Sequence, residues 1–364
     1  MKKIVNQMRQ GAAMLFAHAG GGPASISKRE FLKAGMGTAA LATMATLGVR
    51  TARACDSPTC AKNKYGGAGA TVMVPMPSMN ADVDHAANGF NPTDVLTDFD
   101  WGRESVLPGG QTLREYTVSA ADKTIEVAPG LAYPAFLYNG RLPGPTLRAR
   151  EGDHIRITFT NGSAHPHTMH FHGIHTGAMD GVFEQVKPGK SFVYEFDAEP
   201  FGVHLYHCHT APLAKHIAKG LYGTFIVDPR QGWAQPADKE FVMVLSGIDV
   251  DFDDENDFYV ANGIPFHYDR HPIPFRVGEL VRIFVVNILE YDPINSFHIH
   301  ANFFHYYPTG TSLTPSEFTD TISLVPGQRG IMEFRYKYPG RYMFHAHKTE
   351  FAELGWTGFF DVIA

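Results

Sequence analysis

From residue 112 to its end the chain is a succession of short segments in which apolar and polar positions alternate, or apolar residues run together. IRITF (155–159), SFVYEF (191–196), GTFIV (223–227), LVRIFVV (280–286) and IMEFRY (331–336) are examples, each bounded by Gly, Pro, Asn or Asp. Alternation puts every second side chain on one face of a strand, and turn residues at these intervals predict antiparallel sheets packed face to face. No long stretch carries the 3.6-residue period of an amphipathic helix. The landmarks also come twice, in the same order. Arg150-Glu151-Gly152-Asp153-His154-Ile155-Arg156-Ile157 is matched by Arg276-Val277-Gly278-Glu279-Leu280-Val281-Arg282-Ile283. Pro188-Gly189 is matched by Pro326-Gly327, Gly202 by Gly340, HLYHCH (204–209) by YMFHAH (342–347), and Tyr222-Gly223-Thr224-Phe225 by Trp356-Thr357-Gly358-Phe359. Repetition on this scale predicts an all-β fold made by duplication, with two Greek-key β-sandwiches near 112–230 and 237–364.

The chain ahead of these repeats has a different texture. Ser27-Lys28-Arg29-Glu30-Phe31-Leu32-Lys33 resembles a twin-arginine export signal with Lys28 in place of the first arginine. A weakly apolar run from Ala34 to Val49 follows, then the small-x-small sequence Ala52-Arg53-Ala54. That order predicts an export signal over 1–54, a mature protein starting at Cys55, and a periplasmic or extracellular location reached in the folded state. Residues 55–111, rich in Gly, Pro, Asn and Asp from about 62 onward, predict an N-terminal arm or linker in which Met73, Met76 and Met79 are incidental. Cys55 and Cys60 are close enough in sequence to pair in an oxidising compartment, and lipidation of Cys55 is the alternative.

Composition narrows the function. A chain of 364 residues with 44% hydrophobic and 19% charged content has material for two cores, and its net charge of -6 without any Lys/Arg run excludes a nucleic-acid partner. No segment after the signal is apolar enough to span a membrane. The unusual number is 19 histidines, because most are crowded into four short segments, each carrying a His-x-His pair. Residues two apart on a strand share a face, about 6.6 Å apart. The pairs His170/His172, His207/His209, His298/His300 and His345/His347 therefore each project two imidazoles to one side, as neighbouring metal ions require. Cys208, between His207 and His209, must point the other way. His167 is an odd offset from His170 and can face with Cys208, while His216 follows on the next loop. Two histidines and a thiolate are the ligand set of a blue-copper electron-transfer site, whose axial position falls by spacing near Leu221, a residue that cannot ligate. Ala346 replaces the cysteine in the second repeat, so that repeat offers four histidines and no thiolate. One repeat's four imidazoles are too few for a three-metal site, and eight from two repeats suffice. Among the other histidines, His154, His165, His175, His204, His267, His271 and His305 need no metal to explain them.

At these residues the chain resembles the multicopper oxidase family, over nearly all of its length from about 112. The matching segments are HTMHFHGIHTGAMDG with HLYHCHTAPLAKHIAKGLYG, and HAHKTEFAELGWTG in the second repeat. The resemblance is to two-domain, laccase-like oxidases with two tandem cupredoxin-like domains and type 1 copper in the first domain only. It implies four coppers per chain. His167, Cys208 and His216 would hold type 1 copper, His170 and His298 type 2, and His172, His207, His209, His300, His345 and His347 the type 3 pair. It further implies a homotrimer with each cluster between one subunit's first domain and a neighbour's second, dioxygen as electron acceptor, and a phenol, an aromatic amine, a metal ion or a redox protein as donor. Asp180 resembles the acid that orients a proton-relay water, and Glu350 is a second candidate one residue out of the usual spacing. Copper nitrite reductases share the two-domain trimer and the eight-residue step from Cys208 to His216. They carry aspartate where this chain has His170 and a non-ligand at His209. A cupredoxin that only carries electrons would leave eight histidines unexplained. Oxidation of cuprous or manganous ions for metal tolerance is a further reading, and the acidic stretch Asp249 to Asp257 reads as a solvated loop.

Overall fold

The computed structural model describes residues 81–364; the expected export signal, Cys55, Cys60 and the arm methionines lie outside the described residues. Each repeat forms a sandwich of two sheets. In the first, one sheet runs in the order Phe99–Asp100, Thr146–Arg150, Tyr222–Asp228, Gly202–His207, His170–Phe171. The other is Arg103–Val106, Thr112–Ala128, His154–Asn161, Ser191–Asp197, with Leu131–Tyr138 also paired to Thr112–Ala128. In the second sandwich Ile273–Arg276, Thr357–Ile363, Gly340–His345, Asn295–Ile299 and Thr321–Leu324 form one sheet. Phe258–Ala261, Lys239–Ile248, Val281–Asn287, Arg329–Phe334, Phe304–Pro308 and Glu317–Thr319 form the other.

The sheets are mixed, which corrects the expectation of antiparallel pairing. Thr112–Ala128 runs parallel to His154–Asn161, and Lys239–Ile248 to Val281–Asn287. Thr146–Arg150 and Ile273–Arg276 likewise run parallel to the last strand of their own repeat. Parallel partners need a long crossover, so their pairing leaves no mark in the local pattern of the chain. The duplicated Arg-x-Gly-acid segment is a turn of one design. Asp153 N–H donates to the Arg150 carbonyl at 2.9 Å and Glu279 N–H to the Arg276 carbonyl at 3.2 Å. Gly152 and Gly278 take φ of 90° and 82°, a conformation that costs a side-chain-bearing residue strain. The acid closes each turn by accepting the arginine's N–H, at 2.9 Å for Asp153 and 2.7 Å for Glu279.

Three cores account for the apolar pattern. Ile155, Ile157, Phe159, Phe171, Tyr206, Phe225 and Val227 fill the first sandwich, and Ile283, Val285, Phe297, Ile299, Phe344, Trp356 and Phe360 the second. A third joins the sandwiches, with Val203, Leu205, Tyr222 and Ile226 from one meeting Val242, Val244, Phe284, Val286 and Ile331 from the other. Strands Tyr222–Asp228 and Val281–Asn287 are buried at every position because each faces its own core on one side and the shared core on the other. That is why GTFIV and LVRIFVV lack alternation. Residues 81–111, expected within the arm, carry helices His85–Asn88 and Pro92–Val95, capped by Asp84 and Asn91, and two strands that join the first sandwich's sheets. The Leu96 side chain enters the second core, and its carbonyl accepts from Val242 N–H at 2.9 Å.

Charge also crosses the shared interface. Arg148 forks onto Asp228 at 3.0 Å through both Nε and Nη2, and its Nη1 donates to Glu240 Oε2 at 2.7 Å. Glu240 Oε1 accepts from Arg282 Nη1 at 2.8 Å, and Arg282 also donates to Glu333 at 2.7 Å through Nε. Burial would raise the Glu240 pKa, but hydrogen bonds and charges from Arg148 and Arg282 outweigh it and hold it below the ordinary value of 4.5. Removing this carboxylate leaves two buried guanidinium groups undercompensated. We expect Glu240→Ala to lower unfolding free energy by about 3 kcal/mol, measured by urea denaturation at neutral pH. The depressed folded-state pKa means that the stabilisation is complete above about pH 4.5 and fades as pH falls through the folded value, so the gap between variant and wild type should narrow there.

Candidate metal centres

The strand Gly202–His207 and the two residues after it distribute their side chains by parity. Tyr206 and Cys208 point into the first sandwich's core, and Val203 and Leu205 face the shared core on the opposite side. His207 and His209 therefore leave on the face opposite the thiol. Across the sheet His170 pairs in register with His207, and Phe171, turned inward, with Tyr206. The second repeat has the same register, His298 opposite His345 and Ile299 opposite Phe344, with Ala346 buried in the place of Cys208.

On the inner side, His167, Cys208 and His216 converge. Cys208 Sγ lies 3.3 Å from His216 Nδ1 and 3.8 Å from His167 Nδ1, and the two nitrogens are 3.2 Å apart. His167 and Cys208 are inaccessible to solvent and His216 nearly so. Burial, then the neighbouring His216, pushes His167 down to about 4, and burial lowers His216 as well, so both imidazoles are neutral at neutral pH. Leu221 is fully buried in the same core and frames the site through its backbone. Its carbonyl accepts from Cys208 N–H at 3.0 Å, and its N–H donates to the His216 carbonyl at 3.3 Å. Its side chain has no donor atom. The Phe136 ring packs against both histidines, 5.2 Å from His167 and 5.5 Å from His216.

On the outer side, His170, His172 and His207 place one nitrogen each within 4.8 Å of one another, and so do His298, His300 and His345. The two groups are congruent. The ring of His170 is 5.1, 5.0 and 5.3 Å from those of His172, His207 and His209. His298 is 5.0, 5.4 and 5.2 Å from His300, His345 and His347. Nδ1 of His170 donates to the Asp180 carbonyl at 2.7 Å and that of His298 to the Asp320 carbonyl at 2.9 Å. Nδ1 of His207 and His345 donates to the carbonyl of the next residue, at 2.9 and 2.7 Å. A carbonyl only accepts, so these four rings carry hydrogen on Nδ1 and keep the Nε2 lone pair for a metal. Burial and then His207 push His172 down to about 3, and burial takes His207 to about 4. The second-repeat histidines are more open, with His300 and His347 exposed.

Imidazoles whose Nδ1–H is committed to a carbonyl, and a buried thiol between two nitrogens, fit copper: soft sulfur and imidazole at the inner site, imidazole alone at the outer ones. Asp180 is beside His170, its Oδ1 3.3 Å from Nδ1. Glu350 is on the surface, its carboxylate 3.2 Å from Lys348 Nζ, and no hydrogen bond joins it to a histidine of either group. Residues the sequence reading passed over support the ligands. His209 N–H donates to Thr168 Oγ1 at 2.9 Å and His347 N–H to Ser296 Oγ at 2.8 Å. A hydroxyl residue two before each first His-x-His pair was a signal in the repeat itself. The Asp249 carboxylate folds the acidic loop by accepting N–H groups of Asp253 and Asp254, at 3.2 and 3.0 Å.

Family models described as multicopper oxidase match residues 119–232 and residues 241–363. The chain is 31% identical over 262 residues to the copper-containing nitrite reductase of Neisseria meningitidis serogroup A, covering 63% of this chain and 64% of that protein. It thus spans just under two thirds of that curated relative. A crystal structure of a multicopper oxidase is 62% identical with a TM-score of 0.76, covering 77% of this chain and 100% of the other. The copper nitrite reductase from Nitrosomonas europaea is 28% identical with a TM-score of 0.64, covering 69% and 94%. Among the described residues no helix is long and apolar enough to cross a membrane. With both sandwiches matched, and a histidine-cysteine-histidine set backed onto histidine groups that suit copper, the chain belongs to the multicopper oxidase family.

Proposed function

We propose that the protein oxidises a one-electron donor at His167, Cys208 and His216 and reduces dioxygen to water at a cluster of three coppers. The observation that carries this reading is the congruence of the two four-histidine groups, since a single mononuclear centre leaves most of those eight imidazoles without use. Copper bound at these residues supplies one-electron transfer at the inner site and multi-electron reduction of dioxygen at the outer one. His167, Cys208 and His216 hold the first ion in a dry pocket sealed by Phe136 and Leu221. Cys208 is bonded through the backbone to His207 and His209, so one tripeptide links the two sites covalently. His170 and His298 are assigned to type 2 copper, and His172, His207, His209, His300, His345 and His347 to the type 3 pair. The exposure of His300 and His347 supports completion of the cluster by another subunit's first domain, in a trimer. Asp180 Oδ1 is positioned to hold a proton beside His170. The donor is a phenol, an aromatic amine, a metal ion or a redox protein, which reaches the site outside the cytoplasm after export.

Relatives named as copper nitrite reductases favour a second reading, nitrite reduction at a single outer copper. Metal analysis separates the two: four coppers per chain with consumption of dioxygen is the expected result, and two coppers with nitrite turnover would reverse the assignment. Cys208→Ser should abolish blue absorption while the other copper signals persist. Asp180→Asn should slow reoxidation by dioxygen about 100-fold while reduction of the blue site by donor stays near wild type, as stopped-flow absorbance would show. Diluting the protein until it dissociates should end dioxygen turnover and leave the blue colour.

A further inference from the structure

His167 is tied into the protein on the side away from Cys208 and His216, and the ties have a direction. Ser163 Oγ lies 2.6 Å from Asp122 Oδ1, 2.9 Å from His167 Nε2 and 3.1 Å from His165 N. An ionised carboxylate only accepts, so the Ser163 hydroxyl hydrogen goes to Asp122. The His165 N–H only donates, so it occupies one of the serine oxygen's lone pairs. The contact that is left can be a hydrogen bond only if His167 Nε2 carries the hydrogen. Nδ1 then has the lone pair, on the side of Cys208 and His216. Asp122 is held anionic for the purpose. Burial would raise its pKa, but the Ser163 hydroxyl, the Ala164 N–H at 2.9 Å and the nearby His165 and His167 bring it below the ordinary value.

The arrangement is separate from what holds the ring in place. His167 exchanges backbone hydrogen bonds with Val186 at 3.1 and 3.0 Å, and Asn161 Nδ2 ties the loop to the carbonyls of His165 and Val186 at 2.7 and 2.8 Å. Asp122 comes from a different strand, 41 residues away in sequence from Ser163, and pairs in register with Phe136, the ring that seals the site. His216 has no matching arrangement: among the described residues its Nε2 makes no hydrogen bond, and its Nδ1 faces Cys208 and His167. The two imidazoles of the site are therefore unequal, one with its proton assigned by a carboxylate and the other with its far edge free.

We propose that Asp122, acting through Ser163, is a positioning residue that fixes His167 in the Nε2–H tautomer and lowers the reduction potential of copper held by His167, Cys208 and His216. A carboxylate behind the N–H of a ligating imidazole makes the ring a stronger donor, which favours the oxidised metal. The effect would counteract the apolar Leu221, which offers copper no donor atom and so would favour the reduced metal. The inference rests on the copper reading of that site, and the test keeps the two apart.

In the metal-free protein, labelled with nitrogen-15 at histidine, long-range proton–nitrogen correlation should show His167 wholly as Nε2–H. Asp122→Asn and Ser163→Ala should each give a mixture of tautomers. Asp122 is at the surface, so its replacement spares the core, and Asp122→Glu should restore the single tautomer. In the copper-loaded protein Asp122→Asn should shift the reduction equilibrium of the blue site about fivefold toward reduced copper, an increase of ~40 mV, modest because the charge is solvent-screened. An unchanged tautomer in both variants, or a blue site with wild-type potential in Asp122→Asn, would overturn the proposal. A wild-type protein that takes up copper without turning blue would overturn the reading of the site instead, and the tautomer measurement would still judge Asp122.

Discussion

A β-strand turns successive side chains to opposite faces, and at His207-Cys208-His209 that alternation sets the plan of the molecule. The thiol is turned into a sandwich core, where His167 and His216 meet it in the absence of water. The two imidazoles beside it are turned out to a face on which His170 and His172 wait in register. A shift of one residue in that strand would put the cysteine among the outer histidines and bury the histidines in a hydrophobic core. Register is therefore defended by everything packed on the strand: Tyr206 donating to the Pro145 carbonyl at 2.6 Å on one side, Val203 and Leu205 in the shared core on the other.

Duplication explains why the second repeat can follow the same plan without the same chemistry. Its register, its carbonyl-held histidines and its supporting hydroxyl, Ser296 for Thr168, reproduce those of the first repeat, while Ala346 occupies the thiol's place in a core of aromatic rings. An alanine there asks nothing of its surroundings, and it shares its core with Phe297, Phe344 and Trp356. The second repeat has become a holder of outer-face histidines.

Strand alternation, turn residues and internal repetition made the β-sandwich fold and the faces of the four His-x-His pairs legible from the sequence, since each depends on neighbours within a few residues. Features that depend on distant residues were not legible. The parallel pairing of Thr112–Ala128 with His154–Asn161 joins segments about forty residues apart. The strands Phe99–Asp100 and Arg103–Val106 are too short to show a period, which is why the stretch resembled a linker. Asp122 and Ser163 are an unremarkable surface acid and a loop serine until the fold brings them together behind His167. Glu350 shows the converse: spacing drew attention to it, and the helix Thr349–Glu353 leaves its carboxylate beside Lys348.

The core between the sandwiches also limits what this architecture can become. Strands Tyr222–Asp228 and Val281–Asn287 have no face left for solvent, and Arg148 in one half and Arg282 in the other share a single carboxylate. Excised alone, either half would display a sheet of Val, Ile, Phe and Tyr side chains, and Arg148 would lose Glu240, the carboxylate it takes from the other half. Neither half is therefore a portable unit for recombination into other proteins.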